Sequence, residues 1–367
     1  MKKEVKSQRL QSLDALRGFD MFFIMGGGAL FAGLATCCPI PFFQAIARQM
    51  EHVPWHGVAF EDMIFPLFLF IAGISFPYSL EKQKACGMSS AAIYRKVIRR
   101  GLVLVLLGCI YNGLLDFDFA HLRYASVLGR IGLSWMFAAL LFSECADTCP
   151  YGSCSLAFYR LLGTAGLFPA RWQWRSFFHG RESGRLCRRM FLPGQLYLGI
   201  HDPEGLLGII PAVGTASLGM LTGEWIKREG LPELRKVVLL ACAGVVLVVA
   251  GWIWDLVFPI NKNLWTSSFA CLVGGISMLL FALFYYLIDV RHCHRWTLFF
   301  RVIGMNSITI YLAQRFIDFD YTGRSLFGGL ASLFPESFQP LILALAYIAV
   351  CWGFLYLLYR QRIFLKV

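Results

Sequence analysis

Apolar runs of about 16–25 residues recur along this chain, and the short loops between them carry most of the charge. A run of that length crosses the hydrocarbon core of a bilayer as a helix. Lipid offers no partner to a backbone N–H or C=O, so the segment must satisfy its own. The pattern predicts an all-α polytopic transmembrane bundle of about ten helices. The spans are expected at roughly 19–36, 61–80, 98–115, 127–142, 155–170, 206–226, 237–257, 265–289, 298–315 and 338–359. Charged residues make up only 15% of the 367, where a soluble domain carries about a quarter. No stretch has the composition of a separate soluble domain, so 1–367 reads as a single membrane domain.

Loop charge sets the expected orientation. Lys2, Lys3, Lys6, Arg9 and Arg17 crowd the start, and Lys82, Lys84, Arg95, Lys96, Arg99 and Arg100 lie around the loop after span two. Arg291 and Arg295 precede span nine, and Arg360, Arg362 and Lys366 end the chain. The alternate loops are poor in basic residues: Arg48, Arg123 and Lys262 each stand alone. Basic loops stay in the cytoplasm. Both termini are therefore expected inside, in a cell (inner) membrane, with the loop around His52 outside. The net charge of +12 is accounted for by this bias, and nucleic acid is excluded as a partner. Residues Met1 to Arg17 are polar and basic, and the first apolar run leads on to others, so no cleavable signal is expected. The twelve cysteines form no CxxC pair and no cluster with zinc spacing, so no metal is expected. Cys293 between His292 and His294 reads as an accident of a loop.

Residues 143–190 break the pattern. Parity requires an odd number of crossings between 143 and 205, and 155–170 is the only candidate run. Yet Arg171, Arg175, Arg181, Arg185, Arg188 and Arg189 then fall outside, against the charge rule. Back-translated with suitable codons, Tyr159 to Pro169 can be shifted by one base. It then reads Ile-Gly-Tyr-Trp-Ala-Leu-Leu-Ala-Cys-Phe-Pro, a better membrane run. This points to a local reading-frame error in the gene; the alternative is a divergent amphipathic loop. Resequencing the gene settles the matter, and an intact frame refutes the error.

The groups able to carry chemistry gather at two levels. Outside, His52 precedes Asp62 at the entrance of span two. Histidine titrates near neutrality and suits proton transfer, and ionisable groups at a membrane boundary are functional candidates. In a helix the two would stand almost three turns apart, so contact requires the Pro54–Gly57 turn to fold back. The plainer reading is a solvated interfacial histidine, with His56 a second such group and Trp55 an interface anchor. Asp202 and Glu204 precede span six, where a helix N-terminus favours negative charge. Asn261, Lys262 and Trp265 precede span eight; Asn and Trp there also serve as cap and anchor. Inside, Asn306 and Ser307 lie in span nine and need polar partners, from a neighbouring helix or from a bound cofactor. Arg17 and Arg100 stand where phosphates could be met, or simply obey the charge rule. Gly26–Gly28 permits close backbone approach in span one, and Gly219-x-x-x-Gly223 packs helices.

The order of these motifs is more specific than any one of them. The series runs Arg9-Leu-Gln-Ser-Leu-Asp14-Ala-Leu-Arg17-Gly18, Gly26–Gly28, His52-x-x-Trp55-x-Gly57 and Asp62-x-x-Phe65-Pro66-x-Phe68-x-Phe70-x-x-Gly73-x-Ser75. It continues with Asp202-Pro-Glu-Gly205, Asn261-Lys-Asn-Leu-Trp265, Gly304-Met-Asn-Ser307 and Leu358-Tyr-Arg-Gln-Arg-Ile-Phe364. It resembles the catalytic membrane region of the heparan-alpha-glucosaminide N-acetyltransferase family and its bacterial relatives of uncharacterised function. The match extends over almost the whole chain except 143–190, in what looks like the short bacterial form. The resemblance implies acetyl-CoA as donor and transfer of its acetyl group across the membrane to a sugar amine. The family's active histidine falls on His52. Its eukaryotic members carry a functional Asn just before the glycine run of span one; Ile24-Met25 stands here, so another residue takes that role or the chemistry differs.

A mechanism consistent with both readings places the CoA head near Arg17, Arg100, Asn306 and Ser307. His52 is the general base, or is transiently acetylated, and Asp62 or Glu204 orients it. Asp202, Asn261, Lys262 and Trp265 form the acceptor side. A cavity is expected to connect Gly304–Ser307 with the His52 loop. The expected partners are the lipid bilayer, acetyl-CoA and a glycan or amino-sugar acceptor; a homo-oligomer is left open. The competing functions are O-acyl transfer to a cell-envelope glycan and, from another class, membrane transport.

Overall fold

The computed structural model describes residues 10–119, 121–148 and 208–365, with backbone alone for 145–148. Regular structure among these residues is helical, with no strand. Helix α1 (Gln11–Phe22) passes through a five-residue π-turn, Phe23–Gly27, into α2 (Gly28–Cys37). Gly26 takes φ +107° there, a left-handed value that a side chain resists. The short α3 (Pro41–Gln49) leads to the outer loop. A 3₁₀ turn, Phe60–Met63, then opens α4 (Ile64–Ala85). Next come α5 (Ser90–Tyr111), α6 (Val127–Thr148), α7 (Ile209–Lys227) and α8 (Glu233–Asp255). Helix α9 (Ser267–Tyr285) continues through a π-turn to Val290. Then α10 (Thr297–Met305) and α11 (Ser307–Phe316) flank a break at Asn306, followed by α12 (Phe319–Ala331) and α13 (Gln339–Arg360).

Helix falls in every expected span but 155–170, which lies outside the described residues, as does 149–190 of the anomalous segment. Among the described residues, six helical segments are long and apolar enough to cross a membrane: Gln11–Cys37, Phe60–Ala85, Val127–Glu144, Glu233–Asp255, Ser267–Val290 and Gln339–Arg360. The expected count of ten is thus met only in part, for physical reasons. Four basic residues, Arg95, Lys96, Arg99 and Arg100, lie in the first half of α5. The expected span nine is split at Asn306 into two pieces of nine and ten residues. Helix α7 is diluted by Gly, Ser and Thr and serves as a packing helix.

Burial orders the bundle. The most apolar window of α4 is 72% buried, against 22% for α8 and 28% for α13. Helix α4 therefore sits at the centre, while α8 turns Val246, Val249, Trp252 and Ile253 outward, as a lipid-facing helix does. Between apolar helices in lipid, association rests on close contact and polar bonds rather than on the hydrophobic effect. Small residues supply the first at α4–α7. A Cβ added to Gly73 would collide with the Ala216 carbonyl, and one on Gly219 with that of Phe70. Polar bonds supply the second: Trp135 Nε1 donates to the Ala72 carbonyl at 3.3 Å, tying α6 to α4.

Two polar ends result. At one, Asp289 accepts from the backbone N–H groups of Gln11 and Ser12 at 3.3 and 3.2 Å, satisfying exposed donors at the start of α1. Lys227 pairs with Glu81 at 3.0 Å, and Lys236 donates to the Ile226 carbonyl at 2.9 Å. The other end holds His52 and the 255–265 loop. The basic-rich loops sit at the first end, so labelling of single cysteines should read position 230 from the cytoplasm and position 52 from outside. Labelling of position 52 from the cytoplasm alone would overturn that orientation.

Candidate active site

The outer loop does fold back. Gly57 takes φ +105°, and its N–H donates to the Ile260 carbonyl at 3.0 Å. His56 Nε2 meets Asp255 Oδ1 at 2.9 Å, and the same oxygen accepts from Ile260 N–H at 2.7 Å. His56 is thus a brace between the two outer loops. The fold-back carries His52 Nδ1 to 2.9 Å from Asp62 Oδ1.

Asp62 is fully buried, and all its bonds converge from that loop and the next. Its Oδ2 accepts from the N–H groups of Ala59 at 3.0 Å and Val53 at 3.3 Å. Its Oδ1 lies 3.1 Å from Lys262 Nζ. Two unit charges at that separation attract by about 5 kcal/mol at an effective dielectric near 20. Burying an ion costs several kcal/mol for each. Lys262 alone therefore roughly breaks even, and the two N–H groups and the imidazole complete the compensation.

Lys262 Nζ also lies 3.1 Å from His52 Nδ1. Both groups are then donors facing one carboxylate. An Nδ1–H donated to Asp62 fixes the tautomer and leaves the lone pair on Nε2. The His52 side chain is 60% exposed, so this lone pair is open to an incoming group.

Trp265 and Asn261 do not face outward. Trp265 is fully buried at φ +52°, with its Nε1 donating to Thr215 Oγ1 at 3.3 Å. Phe65 packs edge-on at 5.1 Å, and the Arg130 guanidinium lies 4.6 Å above the indole. Asn261 Oδ1 accepts from Leu264 N–H at 3.0 Å, turning the loop. Of the described residues of the expected acceptor side, Lys262 alone reaches the His52–Asp62 pair. Trp265 and Asn261 form the floor beneath it, with the indole N–H and the amide oxygen bonded inside. Asp202 and Glu204 lie outside the described residues.

At the other end is a cavity of about 610 Å³, lined among others by Arg17, Ser75, Arg100, Gly304, Met305 and Ser307. Arg17 Nη2 donates to Ser75 Oγ at 3.2 Å, and its guanidinium lies 3.7 Å from Asp14. The Arg100 guanidinium rests 4.2 Å over Trp135, with its Nε buried and unpartnered. Asn306 is not in the lining: it is buried at the break between α10 and α11. A second cavity, about 520 Å³, shares Asp14 and Met305 with the first and adds Arg301, Arg360 and Arg362. Sequence reading took Arg360 and Arg362 as topology signals only and did not single out Arg301. Their place in the ordered Leu358–Phe364 motif was the available clue to the pair.

Among the described residues this cavity does not extend to the outer site as expected: its lining includes no residue of the His52 cluster. The separation is small. Phe65 packs under the outer site while Phe68 lines the cavity, and Arg130 lies over Trp265 while Leu128 and Ile131 line the cavity. Three residues of helix rise about 4.5 Å. Asp62 at the outer site and Phe68 at the cavity are six residues apart, about 9 Å of helix, so a little under two turns divides the two sites.

Fold and site together define a helical membrane protein with an imidazole paired to a buried carboxylate at one end and an arginine-lined cavity at the other. The family model "Heparan-alpha-glucosaminide N-acetyltransferase, catalytic" matches residues 9–143. That interval holds Arg17, His52, Asp62, Arg100 and Arg130. Heparan-alpha-glucosaminide N-acetyltransferase of Mus musculus is 22% identical over 98% of this chain and 61% of its own length. The Homo sapiens protein of that name is 24% identical, over 98% and 60%. The resemblance carried by the ordered motifs holds, and the chain spans about three fifths of the length of these relatives.

Asp62→Ala removes the one acceptor shared by Lys262, His52 and two backbone N–H groups. Breaking a buried pair in this way costs about 3–5 kcal/mol. Thermal unfolding in detergent should show a clear drop for Asp62→Ala and a small one for His56→Ala.

Proposed function

We propose that this protein is a transmembrane acyltransferase. It moves the acetyl group of cytosolic acetyl-CoA to the amine of a sugar or related glycan on the extracytoplasmic face of the cell membrane. The observation that carries the reading is the His52–Asp62 pair: a buried carboxylate orients an imidazole whose Nε2 faces the exposed side. Similarity to the acetyltransferases named above supports the choice of donor and reaction.

The mechanism follows from the charges. Arg17 and Arg100 hold phosphate oxygens of the donor through charge-assisted bonds, and Arg301, Arg360 and Arg362 offer further contacts in the adjoining cavity. The thioester arm extends along α4 toward Phe68. Nε2 of His52 takes a proton from the attacking amine, and Asp62 stabilises the imidazolium that forms. Lys262 keeps Asp62 ionised between turnovers. Fixing donor and acceptor on either side of a little under two helical turns supplies proximity. A hydroxyl acceptor would use the same base.

Purified protein with acetyl-CoA and an amino sugar should release CoA. His52→Ala should lower the rate about 10²–10⁴-fold while acetyl-CoA still binds. Arg17→Ala should do the reverse, weakening binding through a lost phosphate contact. Normal turnover by a monodisperse His52→Ala protein on its acceptor refutes the mechanism. CoA release with a hydroxyl-bearing glycan but never with an amine redirects it to O-acyl transfer.

A further inference from the structure

The second, smaller cavity enters the mechanism above only as added charge. It measures about 520 Å³ and shares Asp14 and Met305 with its neighbour. Three guanidinium groups line it: Arg301 from α10, Arg360 from the end of α13 and Arg362 just beyond. Among the described residues none of the three forms an ion pair. Asp14 is the one carboxyl in the described lining, and it lies 3.7 Å from Arg17. The Nε of Arg301 is buried with no acceptor. A buried N–H in that state is costly, and an anion in the cavity would answer it.

One wall of this cavity is built at the expense of the backbone. Helix α13 ends at Arg360, and the chain then reverses in a hook. The N–H of Arg362 donates to the Tyr359 carbonyl at 3.1 Å, and that of Ile363 to the Leu358 carbonyl at 2.9 Å. Such a helix ending needs one left-handed residue and usually takes glycine there. Arg362 fills the place at φ +58°. Backbone strain of this kind concentrates at functional sites. The hook carries Phe364 into the second cavity and Leu365 into the first. The rings of Tyr359 and Phe364 meet edge-on at 6.4 Å, both in the lining of the second cavity. Aromatic side chains offer a stacking surface to any nucleobase.

Two adjoining arginine clusters, with aromatic rings beside one of them, match a purine nucleotide that bears two separate phosphate groups on one ribose. We infer that the second cavity reads the ribose 3′-phosphate of the donor. Arg301, Arg360 and Arg362 hold that phosphate, and the Tyr359–Phe364 pair lies beside the adenine. The inference rests on the acetyl-CoA reading above. It adds to that reading a selection of CoA over its 3′-dephospho form. The diphosphate stays with Arg17 and Arg100, and the thioester arm continues from it toward Phe68. A contact made to one phosphate is lost only for a ligand that carries that phosphate.

The test is calorimetric binding of CoA and of 3′-dephospho-CoA to the full chain in detergent. Wild type should hold CoA about 10-fold or more tighter than the dephospho form. Arg362→Gly is the informative variant, because glycine favours the left-handed backbone: the hook survives while the guanidinium goes. It should weaken CoA about 10–100-fold and leave dephospho-CoA within about threefold. Arg301→Gln should do the same from a different helix, and Arg17→Ala should weaken both ligands alike. Equal affinity of the wild type for the two ligands overturns the inference. So does an equal loss of both in Arg362→Gly. Unchanged CoA affinity in Arg362→Gly and Arg301→Gln also overturns it, and leaves these arginines to lipid phosphates. If the wild type binds neither ligand, the acetyl-CoA reading itself falls.

Discussion

The ionised carboxylate of Asp62 is the constraint around which the outer half of the molecule is arranged. A charge with no exposure must be met on every side, and its partners come from two separate stretches of chain. Val53 and Ala59 lend backbone N–H groups from the loop, His52 lends its ring, and Lys262 arrives from the turn before α9. The loop can make these bonds only by reversing at Gly57. The second turn can bring Lys262 only because Trp265 is locked in place by Thr215, Phe65 and Arg130. The orientation of the imidazole follows from electrostatic need in the fold, before any substrate is present.

The inner half depends on a different economy. Arg17 meets Ser75 and Asp14, and Arg100 lies on the face of Trp135. The two halves meet along α4, with Glu61 and Asp62 in the 3₁₀ turn that opens it, Ser75 midway along it, and the Phe65–Phe68 turn between.

Much of this was legible in the sequence, for definite reasons. Lipid forces helices, so apolar runs located α4, α8, α9 and α13 well. It failed to foresee the break at Asn306, because composition does not register a lost hydrogen bond. The His52–Asp62 contact was legible as a possibility, since Pro54 and Gly57 can reverse a chain. Lys262 was read as part of an acceptor motif, and its pairing with a carboxylate two hundred residues away has no local signature. Trp265 was read as facing an acceptor, because indoles near span ends usually do face an interface; here Thr215 and Arg130 draw it inward.

The thin wall between Phe65 and Phe68 bears on voltage. Mobile ions reach the exposed ring of His52 from one face and the arginine-lined cavity from the other. The electric field of an energised membrane is then compressed into the short apolar barrier between them, not spread over the full bilayer. Moving one elementary charge through the whole potential involves about 2.3 kcal/mol per 100 mV. A charge displaced over the roughly 9 Å between Asp62 and Phe68 would feel much of that work, so membrane energisation biases any step that shifts charge between the two faces.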